Sequence, residues 1–228
     1  MIGLFMATGI YFCRWYQMKS KRRYIAFDTE TGGINPKVNP ILTAYFVIIS
    51  DDYSKIDELE LKIKASDPYS KVEADALEIN KINIEKHNSD PDTLDRLLAV
   101  EKLREFLKKH KGKARWEEPV PLGHNISFDI KMINQQLIPE DEWNQYVGYA
   151  IRDTKPVSDF LKDFGVLPPE VGKLESLVKH LNIPSGIAHT AKDDVIMTIE
   201  VYRKLGEMVK NLSLGSGLSI DVLDILEK

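Results

Sequence analysis

Four carboxylates and one imidazole stand in three short, separated segments of this chain: Asp28 and Glu30 in YIAFDTET, Asp129 in GHNISFD, and His189 with Asp194 in HTAKDD. Carboxylate oxygens suit hard divalent cations, and an imidazole that titrates near neutrality can take a proton from an attacking water. Together they are the parts needed to hydrolyse a phosphodiester with two metal ions.

The spacing of these residues decides how they can cooperate. Residues i and i+2 of a strand share a face, so Asp28 and Glu30 project together, about 7 Å apart along the chain. Such a pair can share one cation or split between two, and taken alone it would equally suit a surface turn. Thr31, Gly32 and Gly33 follow directly, and glycine lets a backbone come close to a substrate. Asp129 falls on the first turn of a helix, where a carboxylate also favours the helix dipole. His124 and Asn125 just before it can act as loop hydrogen-bonders. His189 falls before the last helix and Asp194 on its first turn. Asp193, about 100° around the helix from Asp194, should face another way.

Elements that position these residues can be read from periodicity. Tyr24 to Phe27 and Ile41 to Ile49 read as buried strands, with GGINPKVNP as the turn between them. Ile56, Leu59, Leu61 and Ile63 suggest a half-exposed third strand. Helical spacing follows, first through Val72, Ala76, Ile79 and Ile82, then through Leu94, Leu97, Leu98, Leu103, Phe106 and Leu107. Pro119 to Leu122 reads as a short strand, after which Ser127 is placed to cap the helix carrying Asp129. Leu174, Leu177, Val178 and Leu181 predict a helix stopped by Asn182 and Pro184, and a last helix spans about Thr190 to Lys210. Strands, helices, a strand and more helices predict an α/β fold, a mixed sheet covered by helices.

The motifs FDTET, HNxxFD and HTAxxD, in this order and in these strand and helix contexts, resemble the DnaQ-like 3′-to-5′ exonucleases of the DEDDh class from about Arg22 to Leu205. A histidine five residues before the last aspartate matches the histidine branch. The resemblance implies a ribonuclease H-like fold with a mixed five-stranded sheet flanked by helices. It implies two Mg²⁺ or Mn²⁺ ions, with Asp28 between them, Glu30 and Asp194 completing one site, Asp129 supporting the other, and His189 as general base. Thr31, Gly32 and Asn125 are the expected substrate contacts beside the ligands. VEADALEINKI resembles the family's helix after the third strand, which makes Asn80 another. Thr43, Tyr45 and the Thr-Gly-Gly run depart from the commoner family pattern without touching a ligand.

The resemblance implies release of nucleoside monophosphates from a single-stranded 3′ end, with DNA favoured over RNA. An RNA-trimming exonuclease is the nearest alternative, since contacts to the 2′-OH would decide and the sequence does not locate them. A binding adaptor that has lost catalysis is a further alternative, yet no ligand is missing.

Composition sets the remaining bounds. With 228 residues and 43% apolar content, the chain can bury one ordinary core, and the catalytic domain is expected over residues 21–210. The net charge of -4 excludes a global basic field, although metal-bound carboxylates would account for part of it. Two basic stretches, Lys19 to Arg23 and Lys108 to Arg115, read as solvated surface. Cys13 is the only cysteine, which excludes an intrachain disulfide and a thiolate metal site and fits a reducing, cytoplasmic setting. Residues 1–20 read as an N-terminal extension whose apolar start, MIGLFMATGIYFC, is short of the roughly 20 residues that a spanning helix needs. A membrane tether is therefore disfavoured, and Met18 is an alternative start. Residues 211–228 read as a flexible tail in which Leu218, Val222, Ile225 and Leu226 could meet a replication partner.

Overall fold

The computed structural model describes residues 22–65, 71–184 and 190–215, with the last four of these described only as helical backbone. Three strands open it: β1 (Tyr24–Thr31), β2 (Ile41–Ile49) and β3 (Lys55–Lys62). Three helices follow: α1 (Ala74–Asn80), α2 (Ile84–Ser89) and α3 (Arg96–His110). The short strand β4 (Val120–Gly123) then leads into α4 (Ser127–Gln136) and α5 (Glu140–Trp143). A two-residue strand β5 (Arg152–Asp153) precedes α6 (Thr154–Asp163), α7 (Leu174–His180) and the long α8 (Ala191–Gly215).

The strands form one sheet in the order β3-β2-β1-β4-β5. Neighbours β1–β2 and β2–β3 run antiparallel, while β1–β4 and β4–β5 run parallel, so the expected mixed five-stranded sheet is present. Alternation along β1 sends Ile25 and Phe27 into one layer, with Phe46, Leu61, Leu103, Met132 and Trp143. There the Phe27 and Trp143 rings meet edge to face at 5.4 Å. Tyr24 and Ala26 go the other way, with Tyr45, Val47 and Leu122, beneath Ala191, Val195 and Ile199 of α8. The i, i+4, i+8 spacing of those last three makes the sheet-facing stripe of α8. Its opposite side, through Met197, Val201 and Leu205, packs on Leu161 of α6 and Leu177 of α7.

Several expectations from periodicity need correction. Leu97 is 84% exposed and Leu98 also faces solvent, because α3 starts at Arg96 and buries Ala99, Val100, Leu103, Phe106 and Leu107 instead. Ile56 is exposed, since the inward residues of β3 are the odd-numbered ones that include Leu61. Ile79 is 67% exposed, and the residue that α1 buries is Asn80. Ser127 opens α4 without capping it.

The second basic stretch is engaged within the fold. Lys109 pairs with Asp57 at 2.8 Å, Lys111 lies 5.5 Å from the Tyr146 ring centroid, and Arg115 donates to the Asn144 carbonyl at 2.9 Å. Asn182 ends the α7 region in the left-handed conformation, with φ 51°. Among the described residues, no helix is long and apolar enough to cross a membrane. The expected extension at 1–20 lies outside the described residues. So does the expected tail beyond Gly215, and α8 carries the chain five residues past the expected end at 210.

Candidate active site

Strand β1 outruns its parallel neighbour. Pairing with β4 ends at Ala26 and Leu122, whereas pairing with β2 continues to Thr31. The last residues of β1 therefore border an opening at the carboxyl ends of two parallel strands, the usual place for a ligand in a sheet of this kind. Asp28 and Glu30 share the face of Ala26, the face that α8 covers. Asp194 sits on the first turn of α8, just before buried Val195. Carboxylate oxygens of Asp28, Glu30 and Asp194 lie within 4.8 Å of one another. Asp193 turns away, exchanging hydrogen bonds with Thr190: the threonine hydroxyl donates to its carboxylate at 2.7 Å, and its backbone N–H donates back at 3.1 Å.

Asp129 arrives from the other layer. Thr29, which points to the face opposite Asp28, donates its N–H and its hydroxyl to Asp129 Oδ1 at 3.0 and 2.6 Å. The loop that presents Asp129 is held by a residue that sequence reasoning missed. Asp153 accepts the N–H of Asn125 at 2.8 Å, of Ile126 at 3.1 Å and of Lys155 at 2.9 Å, capping α6 while fixing the entry to α4. It holds the approach to α4, while the Phe128 N–H of the helix's first turn goes to the Asn125 carbonyl at 3.1 Å. Next to Asp153, the Thr154 hydroxyl donates to the Gly123 carbonyl at 3.2 Å and lies 2.8 Å from His124 Nδ1. The only local signal was an aspartate before a helix start, and nothing in the sequence linked it to Asn125.

Crowding of acids in a half-dry site raises their pKa values. Burial lifts the Asp28 carboxyl well above its usual range, and Asp129, Glu30 and Asp194 lift it further. Glu30 is pushed to about 7 by burial and then by Asp194 and Asp129. Asp129 is also raised to about 7, because burial outweighs the two hydrogen bonds from Thr29. For Glu30, that shift corresponds to a cost on the order of 3 kcal/mol for the ionised form at the site. A hard divalent cation would remove that cost, so an all-oxygen set of this kind fits Mg²⁺ or Mn²⁺ chemistry.

The expected substrate contacts line the opening, though several are committed to the fold. A cleft of about 340 Å³ runs over Thr29, Glu30 and Thr31 between Ile34, Ile79, Asn80 and Phe128. Asn80 Nδ2 donates to the Thr31 carbonyl at 3.1 Å, and its Oδ1 accepts the Ile82 N–H at 3.0 Å. The Gly32 N–H is likewise spent on the Pro40 carbonyl at 2.8 Å. Gly33 has φ 155°, and a Cβ there would fall 2.5 Å from Asn39 Cγ, so the turn that closes the cleft admits only glycine. Asn125, at φ 60°, lines an adjoining cleft of about 380 Å³ with Phe128 and Lys131. His189 lies outside the described residues.

The family model described as Exonuclease (RNase_T) matches residues 25–202. The chain belongs to that exonuclease family. Its curated relatives include the DNA polymerase III PolC-type proteins of Thermotoga petrophila and Clostridium perfringens. The first is 24% identical over 194 residues, covering 84% of this chain but 12% of that protein. The second is 26% identical over 184 residues, covering 79% and 11%. The chain thus spans about an eighth of those relatives. Among solved structures, Escherichia coli exonuclease I with a dT13 oligonucleotide superposes with a TM-score of 0.65 at 18% identity, over 81% of this chain and 40% of that one. Exonuclease I of Methylocaldum szegediense superposes with a TM-score of 0.61 at 21% identity, over 82% and 40%. The exonuclease fold is therefore the ribonuclease H-like one that the motifs implied.

Proposed function

We propose that this exonuclease-family enzyme degrades single-stranded DNA from its 3′ end to nucleoside monophosphates, with Asp28, Glu30, Asp129 and Asp194 holding two Mg²⁺ or Mn²⁺ ions and His189 as general base. The observation that carries this reading is the convergence of Asp28, Glu30 and Asp194 within 4.8 Å, at the open end of β1. Asp28 feels the charge of all three other carboxylates, which supports placing it between two cations. When bound, the cations supply a water of lowered pKa and stabilise charge on the phosphate oxygens. Asp129 is oriented by Thr29, and Asp194 by the first turn of α8. His189, one residue before Thr190, takes the proton of the attacking water in its neutral imidazole form.

Apolar Ile34, Ile79 and Phe128 around the acids favour an unstacked terminal nucleotide, with Phe128 offering a ring for a base. The solved exonuclease I chain binds a dT13 strand and the PolC-type relatives are DNA polymerases, so DNA and a replication or repair setting are the preferred substrate and context.

Matched DNA and RNA oligomers, labelled at the 3′ or the 5′ end and incubated with Mg²⁺ or with a chelator, test the reading. Stepwise shortening of 5′-labelled DNA only with the metal is expected. Internal cuts, attack from the 5′ end or equal turnover in chelator would refute it. Faster loss of RNA would reassign the substrate.

A further inference from the structure

Asp194 reaches Asp28 and Glu30 only if the first turn of α8 sits at one position over the sheet. The exchange between Thr190 and Asp193 is internal to that turn, so it orders the helix start without placing it on the strands. Ala191 packs in the same layer as Tyr45, but a single methyl gives little lateral restraint. A polar contact to the sheet comes from Lys192. Its Nζ lies 5.3 Å from the centroid of the Tyr45 ring and 3.8 Å from Glu58 Oε2. The Tyr45 hydroxyl donates to that same oxygen of Glu58, whose other oxygen accepts from Lys55 Nζ at 3.0 Å.

The register gives these contacts their meaning. Tyr45 is the cross-strand partner of Asp28 and is 2% exposed, so its ring is a fixed platform beside one ligand. Lys192 precedes another ligand, Asp194, by two residues. Glu58 lies across from Val47 on β3, diagonal to Tyr45, and ties the platform to a second strand. The Lys192–Glu58 pair is exposed enough that it would hold little by itself. The buried ring beneath the ammonium makes the contact directional.

We infer that Tyr45, Glu58 and Lys192 form a positioning clamp that sets the first turn of α8 against β1 and β2, and with it the separation of Asp194 from Asp28 and Glu30. The clamp rests on the cation-binding reading above and deepens it. Its role is distinguished by a sign. Removing a positive charge near a cation site should tighten cation binding by Coulomb's law alone, whereas removing a clamp should weaken it.

Calorimetric titration of metal-free protein with Mn²⁺ reads this without turnover. Lys192→Met keeps the apolar stem and is expected to weaken Mn²⁺ binding roughly 10-fold, the size seen when a partner of a ligand is lost. Lys192→Arg keeps a cation on the ring and should bind nearly as the parent does. Tyr45→Phe keeps the ring but removes its bond to Glu58, and should fall between them. Thermal unfolding in chelator shows whether each variant is folded. Should Lys192→Met fail to fold, Tyr45→Phe against the parent carries the test. Binding by Lys192→Met equal to or tighter than the parent's, with Asp28→Asn abolishing it, would overturn the clamp alone. A parent that bound no Mn²⁺ would overturn the cation reading and the clamp together.

Discussion

Thr29 donates twice to one oxygen of Asp129, through its N–H at 3.0 Å and its hydroxyl at 2.6 Å. Both bonds favour the ionised carboxyl and oppose the burial that raises it. Thr29→Val should therefore raise the Asp129 pKa further and cost about 1.5–3 kcal/mol, the usual worth of a hydrogen bond to a charged group. Mn²⁺ affinity should fall most below pH 7, where the variant holds its proton. Thr29→Ser should restore both. Titrations at pH 6 and pH 8 check this, and equal affinities in parent and Val variant at pH 6 would separate Thr29 from the site.

Asp193 and Asp194 are neighbours with different surroundings, the first bonded to Thr190 and the second gathered with Asp28 and Glu30. Asp194→Asn should abolish hydrolysis while leaving the unfolding midpoint in chelator unchanged or higher, since a repelling charge is gone. Asp193→Ala loses the carboxylate that accepts from the Thr190 hydroxyl but keeps its own N–H donation to that hydroxyl, and should cost about 1 kcal/mol of stability or less with activity largely kept. Paired activity and melting assays read both, and an inactive Asp193→Ala with a parent-like melt would reverse the assignment.

The raised carboxyls link stability to pH. Folded Glu30 and Asp129 keep protons up to about 7, while unfolded carboxyls lose theirs near 4. Between those limits the native state binds more protons, so stability falls as pH rises. Metal-free protein should thus melt several °C lower at pH 7.5 than at pH 5, allowing for the length of the chain. Saturating Mn²⁺ should remove most of the difference, and Glu30→Gln, which takes away one of the two raised carboxyls, should reduce it. Melting curves in chelator that rise over this range would contradict the raised pKa values.

Asp153 holds the loop before α4 through three N–H groups. Asp153→Ala leaves them without that acceptor and should cost about 1–3 kcal/mol, with faster amide exchange at Asn125 and Ile126. Because this loop leads into the first turn of α4, which carries Asp129, kcat should drop more than KM rises. Asp153→Asn, which keeps one acceptor oxygen, should recover part of both. Parent-like exchange in Asp153→Ala would show that the loop is held by other means.

How much of this was legible depends on the range of the interaction. Period-two alternation placed Asp28 and Glu30 on one face, and the helical angle separated Asp194 from Asp193, because both rules act within a few residues. Asp153 and Asn125 are joined across 28 residues by a side chain and a backbone group, a match that leaves no periodic trace. Strand β5 has two residues and is too short to alternate. Leu97 and Ile79 obeyed an apolar spacing without being covered, since spacing defines a face and only a neighbour buries it. Tyr45 was noted as a departure from the family pattern, and its contacts with Lys192 and Glu58 needed the packing of α8 on the sheet.

Asp129 and Asp194 belong to helices on opposite sides of a single strand, and β1 is the thin partition between them. The sheet is then a ruler as well as a scaffold, because the spacing of the two acids is set through it. Core residues far from any substrate, such as Ile25 on one side and Val47 on the other, act as trim screws for the site. Ile25 and Val47 are both buried, so a smaller residue at either would loosen the fold and shift the spacing of the acids together.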